Sequence, residues 1–276
     1  MRSFRNKVVV ITGAGSGMGR AYAKVFAREG ALLALNDFNP TSLEETVALL
    51  RQQGCTQVYS QAFDVADEAA FMQFAAAVET ALGKAHVIIN NAGIEGAVQP
   101  AWLIPASAYQ RIMDINFYGV VHGTRAFLPQ LIANGEGAVV NVSSIFGLVG
   151  TPNSADYCAS KFAVRGFTEA LMAELQDSPI RAYLVHPGGI DTNIVQKAQG
   201  SEFSKRYLTT PPEAMAEHLL RCLRRGRVRV VYGKGAIKTW LGSRLLPLRW
   251  LSWLIWKELK PVTDISAYPW VPKAPR

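Results

Sequence analysis

Seven short apolar runs recur along the chain, at 7–12, 31–36, 57–63, 85–90, 137–143, 180–186 and 228–232. They are β-branched or apolar almost throughout, as strands are when both faces are covered. Between them lie longer stretches with apolar residues at helical spacing, at 18–29, 41–53, 67–82, 106–133, 155–177 and 212–225. This alternation predicts an α/β chain with a doubly wound parallel sheet, because parallel neighbours need a crossover that packs back on the sheet. A chain of 276 residues accommodates one such unit. Apolar residues make up 49% and charged residues 18%, which fills a core and excludes disorder. Pro211-Pro212 before Glu213 reads as a helix start. The segment 192–210 is the expected insertion outside the core.

Several chemistries are excluded early. Cys55, Cys158 and Cys222 form no CxxC pair and no disulfide framework. His86, His122, His186 and His218 lack metal-ligand spacing, so no metal site is expected. The N-terminus, MRSFRNKVVVITGAG, has too short an apolar run for a signal peptide. The run of roughly 18 apolar residues that a membrane span requires is absent. A cytoplasmic location is expected.

Residues 12–19 read TGAGSGMG, directly after the first run and at the start of a helical stretch. Gly13, Gly17 and Gly19 allow a tight turn and close backbone approach, and a helix N-terminus presents amide hydrogens suited to a pyrophosphate. A glycine turn also serves as plain punctuation. Asp37 ends the second run about twenty residues beyond the last glycine, where a carboxylate can accept both adenosine-ribose hydroxyls. That carboxylate repels a 2′-phosphate. No Arg or Lys lies between Arg28 and Arg51, and Ser16 stands where a cation could have met the phosphate. NAD is expected over NADP, against the simpler reading of Asp37 as a solvated turn acid.

Residues 157–161 read YCASK, which puts Tyr157 and Lys161 at i and i+4 on one helix face. An ammonium beside a phenol stabilises phenolate and lowers its pKa from about 10. Taken in order, TGAGSGMG, Asp64 in FDV, NNAG at 90–93, Asn116 in DINFYG, the serines of NVSS, YCASK and HPGGIDT resemble the short-chain dehydrogenase/reductase superfamily in its basic single-domain form. The likeness runs from about residue 5 to about 235, and none of these motifs departs from the family pattern.

The resemblance implies a Rossmann-type, seven-stranded sheet and NAD(P)-dependent oxidoreduction. It assigns Tyr157 as acid/base, and Lys161 as the residue that binds the nicotinamide ribose and lowers the tyrosine pKa. Ser144 would hydrogen-bond the substrate oxygen and is preferred to Ser143 because it lies thirteen residues before Tyr157. Asn116 would hold a water-linked proton path behind Lys161. The turn residues Gly13, Ser16, Gly17, Met18 and Gly19 are assigned to the cofactor with Asp37. Asp64 and Val65 would meet adenine, and Asn91, Ala92 and Gly93 would lie beside the adenosine ribose. Pro187 and Gly188 would let the nicotinamide approach, and Ile190 and Thr192 would contact its carboxamide. Cys158 reads as a small packing residue. The expected reaction removes a hydroxyl proton and a carbinol hydride from a secondary alcohol, or reverses that path. A second reading is a catalytically idle NAD-binding sensor or membrane-surface scaffold.

Charge divides the chain. Residues 1–220 carry a net −3, whereas residues 221–276 carry a net +11 and five of the six tryptophans. The boundary expected from this is a catalytic unit over 1–235 and a basic, helical, Trp-rich extension over 236–276. Within WLGSRLLPLRWLSWLIWKEL at 240–259, Pro247 divides two short helices. Three roles stay open for them: a monotopic membrane anchor through 240–260, a lid over an apolar cleft, or an oligomer contact in a homodimer or homotetramer. Nucleic acid is not expected, since Arg221–Arg229 reads as a helix end and an edge strand. Ile145, Phe146, Leu148 and Val149 suggest an apolar small-molecule substrate, and Glu95, two residues after NNAG, reads as a surface loop acid in preference to a pocket-lining one.

Overall fold

The computed structural model describes residues 1–192 and 202–271. The middle of the expected insertion therefore lies outside the described residues. The strands are β1 (Val8–Thr12), β2 (Leu32–Asp37), β3 (Val58–Ala62), β4 (Val87–Asn90), β5 (Gly137–Val142), β6 (Ile180–Pro187) and β7 (Arg229–Tyr232). They form one parallel sheet in the order β3-β2-β1-β4-β5-β6-β7. The helices are α1 (Gly17–Arg28), α2 (Pro40–Gln52), α3 (Glu68–Leu82), α4 (Ala106–Met113), α5 (Gly119–Ala133), α6 (Ala155–Glu174), α7 (Glu202–Tyr207), α8 (Pro212–Arg225), α9 (Ala236–Leu245) and α10 (Leu248–Leu259).

Strand alternation sorts the core into two layers. Val9, Ile11, Leu33, Leu35, Ile89 and Val140 pack with side chains of α1, α2 and α8 on one face. Val8, Val10, Ile88 and Val139 pack on the other with Phe71, Phe74 and Phe127 of α3 and α5. Each such aromatic contributes about 2–3 kcal/mol of burial. The central strand β1 is buried at every position, whereas the edge strands β3 and β7 are half-exposed, because only one neighbour covers each.

One expected helix is interrupted. Residues 106–133 form two helices joined by a π-helical turn at Asp114–Tyr118. The wider turn aims the side chain of Asn116 into the loop that follows β4, at the cost of regular helix geometry.

The strand order reverses beside β1, between the β2 and β4 branches. That switch point opens a crevice at the carboxyl ends of the strands. Six of the seven strands end in residues singled out above: β1 in the glycine turn, β2 in Asp37, β3 before Asp64, β4 before Asn91, β5 before Ser144 and β6 in Pro187.

Candidate active site

The glycine turn is held from below. Gly13 and Gly17 have φ of +65° and +49°, conformations that glycine adopts without strain. A Cβ on Gly19 would sit 1.9 Å from the Gly13 carbonyl oxygen, so the first turn of α1 closes directly on the loop. Ser16 at the N-cap makes no side-chain cap, and no acid occupies the first turn. The end of α1 thus keeps amide donors and positive dipole for an anion. Met18 lies in that first turn and packs against the core. Two residues overlooked in the sequence fix the loop. Buried Thr46 donates to the Ala14 carbonyl at 3.0 Å, and Arg20 donates to the carbonyls of Gly15 and Ser42. Arg20 is also paired with Glu45 at 3.0 Å.

Asp37 faces the same loop. Its Oδ2 accepts the Gly15 N–H at 2.8 Å and its Oδ1 accepts the Asn39 N–H at 2.9 Å. Both oxygens keep a lone pair for a further donor. Asp64 accepts from the Ala66 N–H at 3.0 Å and from Arg111 at 3.0 Å, and Val65 is buried against Gly119. The N–H groups of Asn91 and Ala92 both donate to the Thr12 hydroxyl at 3.0 Å, and Asn91 Nδ2 donates to the Thr12 carbonyl at 2.9 Å. Thr12 therefore bolts the loop after β4 to the end of β1. These distances bring the turn, Asp37 and Asn91–Gly93 around one crevice that suits a dinucleotide.

A second cluster gathers Ser144, Tyr157, Lys161 and Asn116. Ser144 accepts the Phe146 N–H at 3.1 Å and shares a hydrogen bond with the Tyr157 phenol. Ser143 points inward instead, donating to the Lys161 carbonyl at 2.8 Å. Lys161 is 3% exposed and its Nζ donates to the Val142 carbonyl at 3.2 Å, lying 5.7 Å from the Tyr157 ring centre. Asn116 Nδ2 donates to the Ile94 carbonyl and to Ser160 Oγ, both at 3.1 Å, while its Oδ1 accepts the Ile94 N–H at 2.8 Å. A Cβ on Gly93 would fall 3.1 Å from Asn116 Oδ1 and 3.4 Å from Lys161 Nζ, so this glycine lets the loop lie against both.

Burial dominates the titration of this cluster. It pushes the Tyr157 phenol up to about 12; the Ser144 hydrogen bond pulls it back, and Cys158 and Glu95 push it further. Burial also brings the Lys161 ammonium down to about 8. Desolvation is thus the largest influence on both groups of the pair in the protein alone. Glu95 is half-buried and close enough to influence Tyr157, which favours the pocket-lining reading over the surface loop acid.

Two supports escaped the sequence reading. Asp156 is 1% exposed and accepts the N–H of Ala97 and of Tyr157, each at 2.8 Å, clamping the loop after β4 to the start of α6. Its signal was an acid in the first turn of the helix that carries Tyr157. His186 is fully buried and its Nδ1 lies 2.8 Å from the Ser144 carbonyl. A carbonyl only accepts, so Nδ1 carries the proton, and burial holds the ring neutral with a pKa of about 4.

The remaining expected residues flank these two clusters. Pro187 ends β6, and a Cβ on Gly188 would meet the Lys234 carbonyl oxygen at 2.4 Å. Ile190 is buried and bridges to Thr210, and Thr192 lies against Gly17. The C-terminal tail folds back toward the same end of the sheet. Tyr268 donates to Asn153 Oδ1 at 2.8 Å, Asn153 donates to the Asp264 carbonyl at 2.9 Å, and Tyr268 and Trp270 each pack 5.2 Å from Trp102. Helix α9 contacts Ile145–Gly147 beside Ser144. Among the described residues no cluster of His, Cys, Asp and Glu could hold a metal.

The geometry has counterparts in known proteins. The short chain dehydrogenase family model matches residues 7–202. The chain is 42% identical over 247 residues to SadH of Mycobacterium tuberculosis, which carries the name oxidoreductase, covering 84% of this chain and 88% of that one. It is 38% identical over 214 residues to cyclopentanol dehydrogenase of a Comamonas species, covering 76% and 84%. A short-chain dehydrogenase/reductase from Burkholderia phymatum, solved in complex with NAD, superposes with a TM-score of 0.78 at 30% identity, covering 83% and 90%. The family model spans most of the chain and the seven-stranded parallel sheet matches the solved relative: the chain belongs to the short-chain dehydrogenase/reductase family of oxidoreductases.

Proposed function

We propose that this protein interconverts a secondary alcohol and a ketone with NAD, on an apolar substrate. The observation that carries the reading is the pair of hydrogen-bonded hydroxyls, Ser144 and Tyr157, set beside buried Lys161 at the carboxyl end of the sheet. The open N-terminus of α1, Asp37, the Asn91–Gly93 loop and the Pro187–Thr192 segment would hold the cofactor. When bound, the oxidised nicotinamide supplies the hydride acceptor and a positive charge near the phenol.

The residues then have separate tasks. Ser144 donates to the substrate oxygen and fixes it near Tyr157. Tyr157 as phenolate takes the hydroxyl proton in oxidation, and as phenol returns it in ketone reduction. Lys161 steadies the phenolate, and Asn116, tied to Ser160 and Ile94, supports the proton path behind it. His186 and Asp156 act through others: one holds the Ser144 carbonyl, the other the Tyr157 backbone. Asp37 supports NAD over NADP, since its charge opposes a 2′-phosphate and Arg20 nearby is already engaged by Glu45 and the loop carbonyls.

The likeness to cyclopentanol dehydrogenase favours an alcohol, and Phe146, its ring 6.0 Å from that of Tyr157, favours an apolar one. The test is a panel of cyclic and long-chain secondary alcohols, and their ketones, with NAD(H) and NADP(H). The expected result is NADH production that Tyr157→Phe abolishes. Normal NAD binding with no turnover across the panel would refute it.

A further inference from the structure

Between α9 and α10 the chain reads Arg244-Leu245-Leu246-Pro247-Leu248-Arg249-Trp250. This is the tip of a helical hairpin, and it turns its apolar side chains outward. Leu245 is 75% exposed, Leu248 77% and Trp250 62%. Exposure continues down both helices. Ile237, Leu241 and Leu245 stand at i, i+4 and i+8 of α9, and Trp250, Trp253 and Leu254 share one side of α10 with Lys257. No residue of α10 is buried. Its opposite side does have a partner, since Trp256 packs 5.5 Å from Tyr268, which is tied to Asn153. The hairpin therefore has an inner side on the protein and an outer side that nothing among the described residues covers.

We infer that the hairpin tip docks on an anionic lipid surface. This goes beyond the proposed reaction and stands independently of it. Three observations point to lipid. Leucines exposed at a turn with a tryptophan beside them are side chains that partition into the headgroup and acyl boundary. Arg244 and Arg249 bracket the leucines, and Lys257 lies among the outer side chains of α10, where anionic headgroups would meet them. The one acid of α10, Glu258, is already paired with Lys238 at 2.9 Å. A second copy of the chain suits the patch less well. A two-fold contact apposes a patch to itself, which would bring Arg244 and Arg249 against their own counterparts with no acid to offset them. Among the described residues no helix is long and apolar enough to cross a membrane, so the contact is with the surface. The hairpin contacts the 145–147 segment through α9, so docking would set the substrate cleft next to the lipid phase.

The test uses the full chain and vesicles of equal parts phosphatidylglycerol and phosphatidylcholine, with pure phosphatidylcholine vesicles as the neutral arm. Wild type is expected to co-sediment with the anionic vesicles at low salt, and less at high salt. The double variant L245S/L248S removes two largely exposed side chains and should keep wild-type turnover on a water-soluble alcohol. Its partition onto anionic vesicles is expected to fall by about tenfold or more. The charge reversal R244E/R249E should lose the salt-sensitive part of binding. Failure of wild type to bind anionic vesicles at low salt would overturn the inference, as would undiminished binding by L245S/L248S. A wild-type oligomer that dissociates in L245S/L248S, without vesicle binding, would assign the tip to a subunit contact instead.

Discussion

Lys161→Met is expected to stabilise the cofactor-free protein while removing its activity. Lys161 is 3% exposed, and burial lowers its pKa from 10.5 to about 8. At about 1.4 kcal/mol per pKa unit, holding it charged in the fold costs about 3 kcal/mol at neutral pH. Methionine has similar length and no charge to desolvate. It forfeits the 3.2 Å hydrogen bond to the Val142 carbonyl, which contributes about 1 kcal/mol. The net gain at pH 7 is about 2 kcal/mol, or several degrees in Tm for a chain of this size. A lowered lysine pKa makes wild-type stability rise with pH: below pH 8 the full cost applies, and from 8 to 10.5 it fades as the folded lysine sheds its proton. The variant's advantage should therefore be present at pH 7 and gone near pH 10. The raised phenol of Tyr157 contributes stability below pH 10 that is lost toward 12, but both proteins carry it, so it drops out of the difference to first order. Urea unfolding of wild type and variant at the two pH values measures this. A variant less stable than wild type at pH 7, or one with the same difference at both values, would refute the burial argument.

Tyr157→Phe should keep the fold and cofactor binding and lower turnover about a thousandfold or more, measured by steady-state kinetics at saturating cofactor. Retention of a tenth of the wild-type rate would remove Tyr157 from the proposed role. Asp37→Ala should weaken NAD about tenfold and bring the kcat/KM ratio of NAD to NADP toward one, because an acceptor and a repelling charge both disappear. An unchanged cofactor ratio would show that Asp37 does not set the preference. Asp156→Ala leaves the N–H groups of Ala97 and Tyr157 without their 2.8 Å acceptor and should cost about 2–4 kcal/mol in urea unfolding. Asp156→Asn, which keeps one acceptor oxygen, should recover part of that loss, and an Ala variant as stable as wild type would contradict the clamp.

The sheet was legible in the sequence because its signals are local. A strand covered on both faces must be apolar at consecutive positions, so the seven runs coincide with β1–β7 within a residue or two at most ends. The YCASK spacing and the glycine turn are equally local: helix geometry alone puts Tyr157 and Lys161 on one face, and only glycine takes the turn's positive φ without strain. The interruption of the 106–133 helix was not legible, since the π-helical turn coincides with Asn116 bonding a loop twenty-two positions away. The same holds for most supports of the site. Thr46 on the glycine loop, Arg20 on the Ser42 carbonyl, Asp156 on Ala97 and His186 on the Ser144 carbonyl all act across long separations, and no residue periodicity encodes them. Burial is equally a tertiary matter: it raises the Tyr157 phenol and lowers the Lys161 ammonium, and no local spacing encodes either shift. The tail shows the division most plainly. Composition and Pro247 determined that two short basic, Trp-rich helices would form, whereas the packing of Tyr268 and Trp270 on Trp102, and the Asn153 hydrogen bonds, decided which side faces inward. A helix whose apolar residues cover most of its circumference has no preferred side of its own, so the neighbour it meets in the folded chain chooses one.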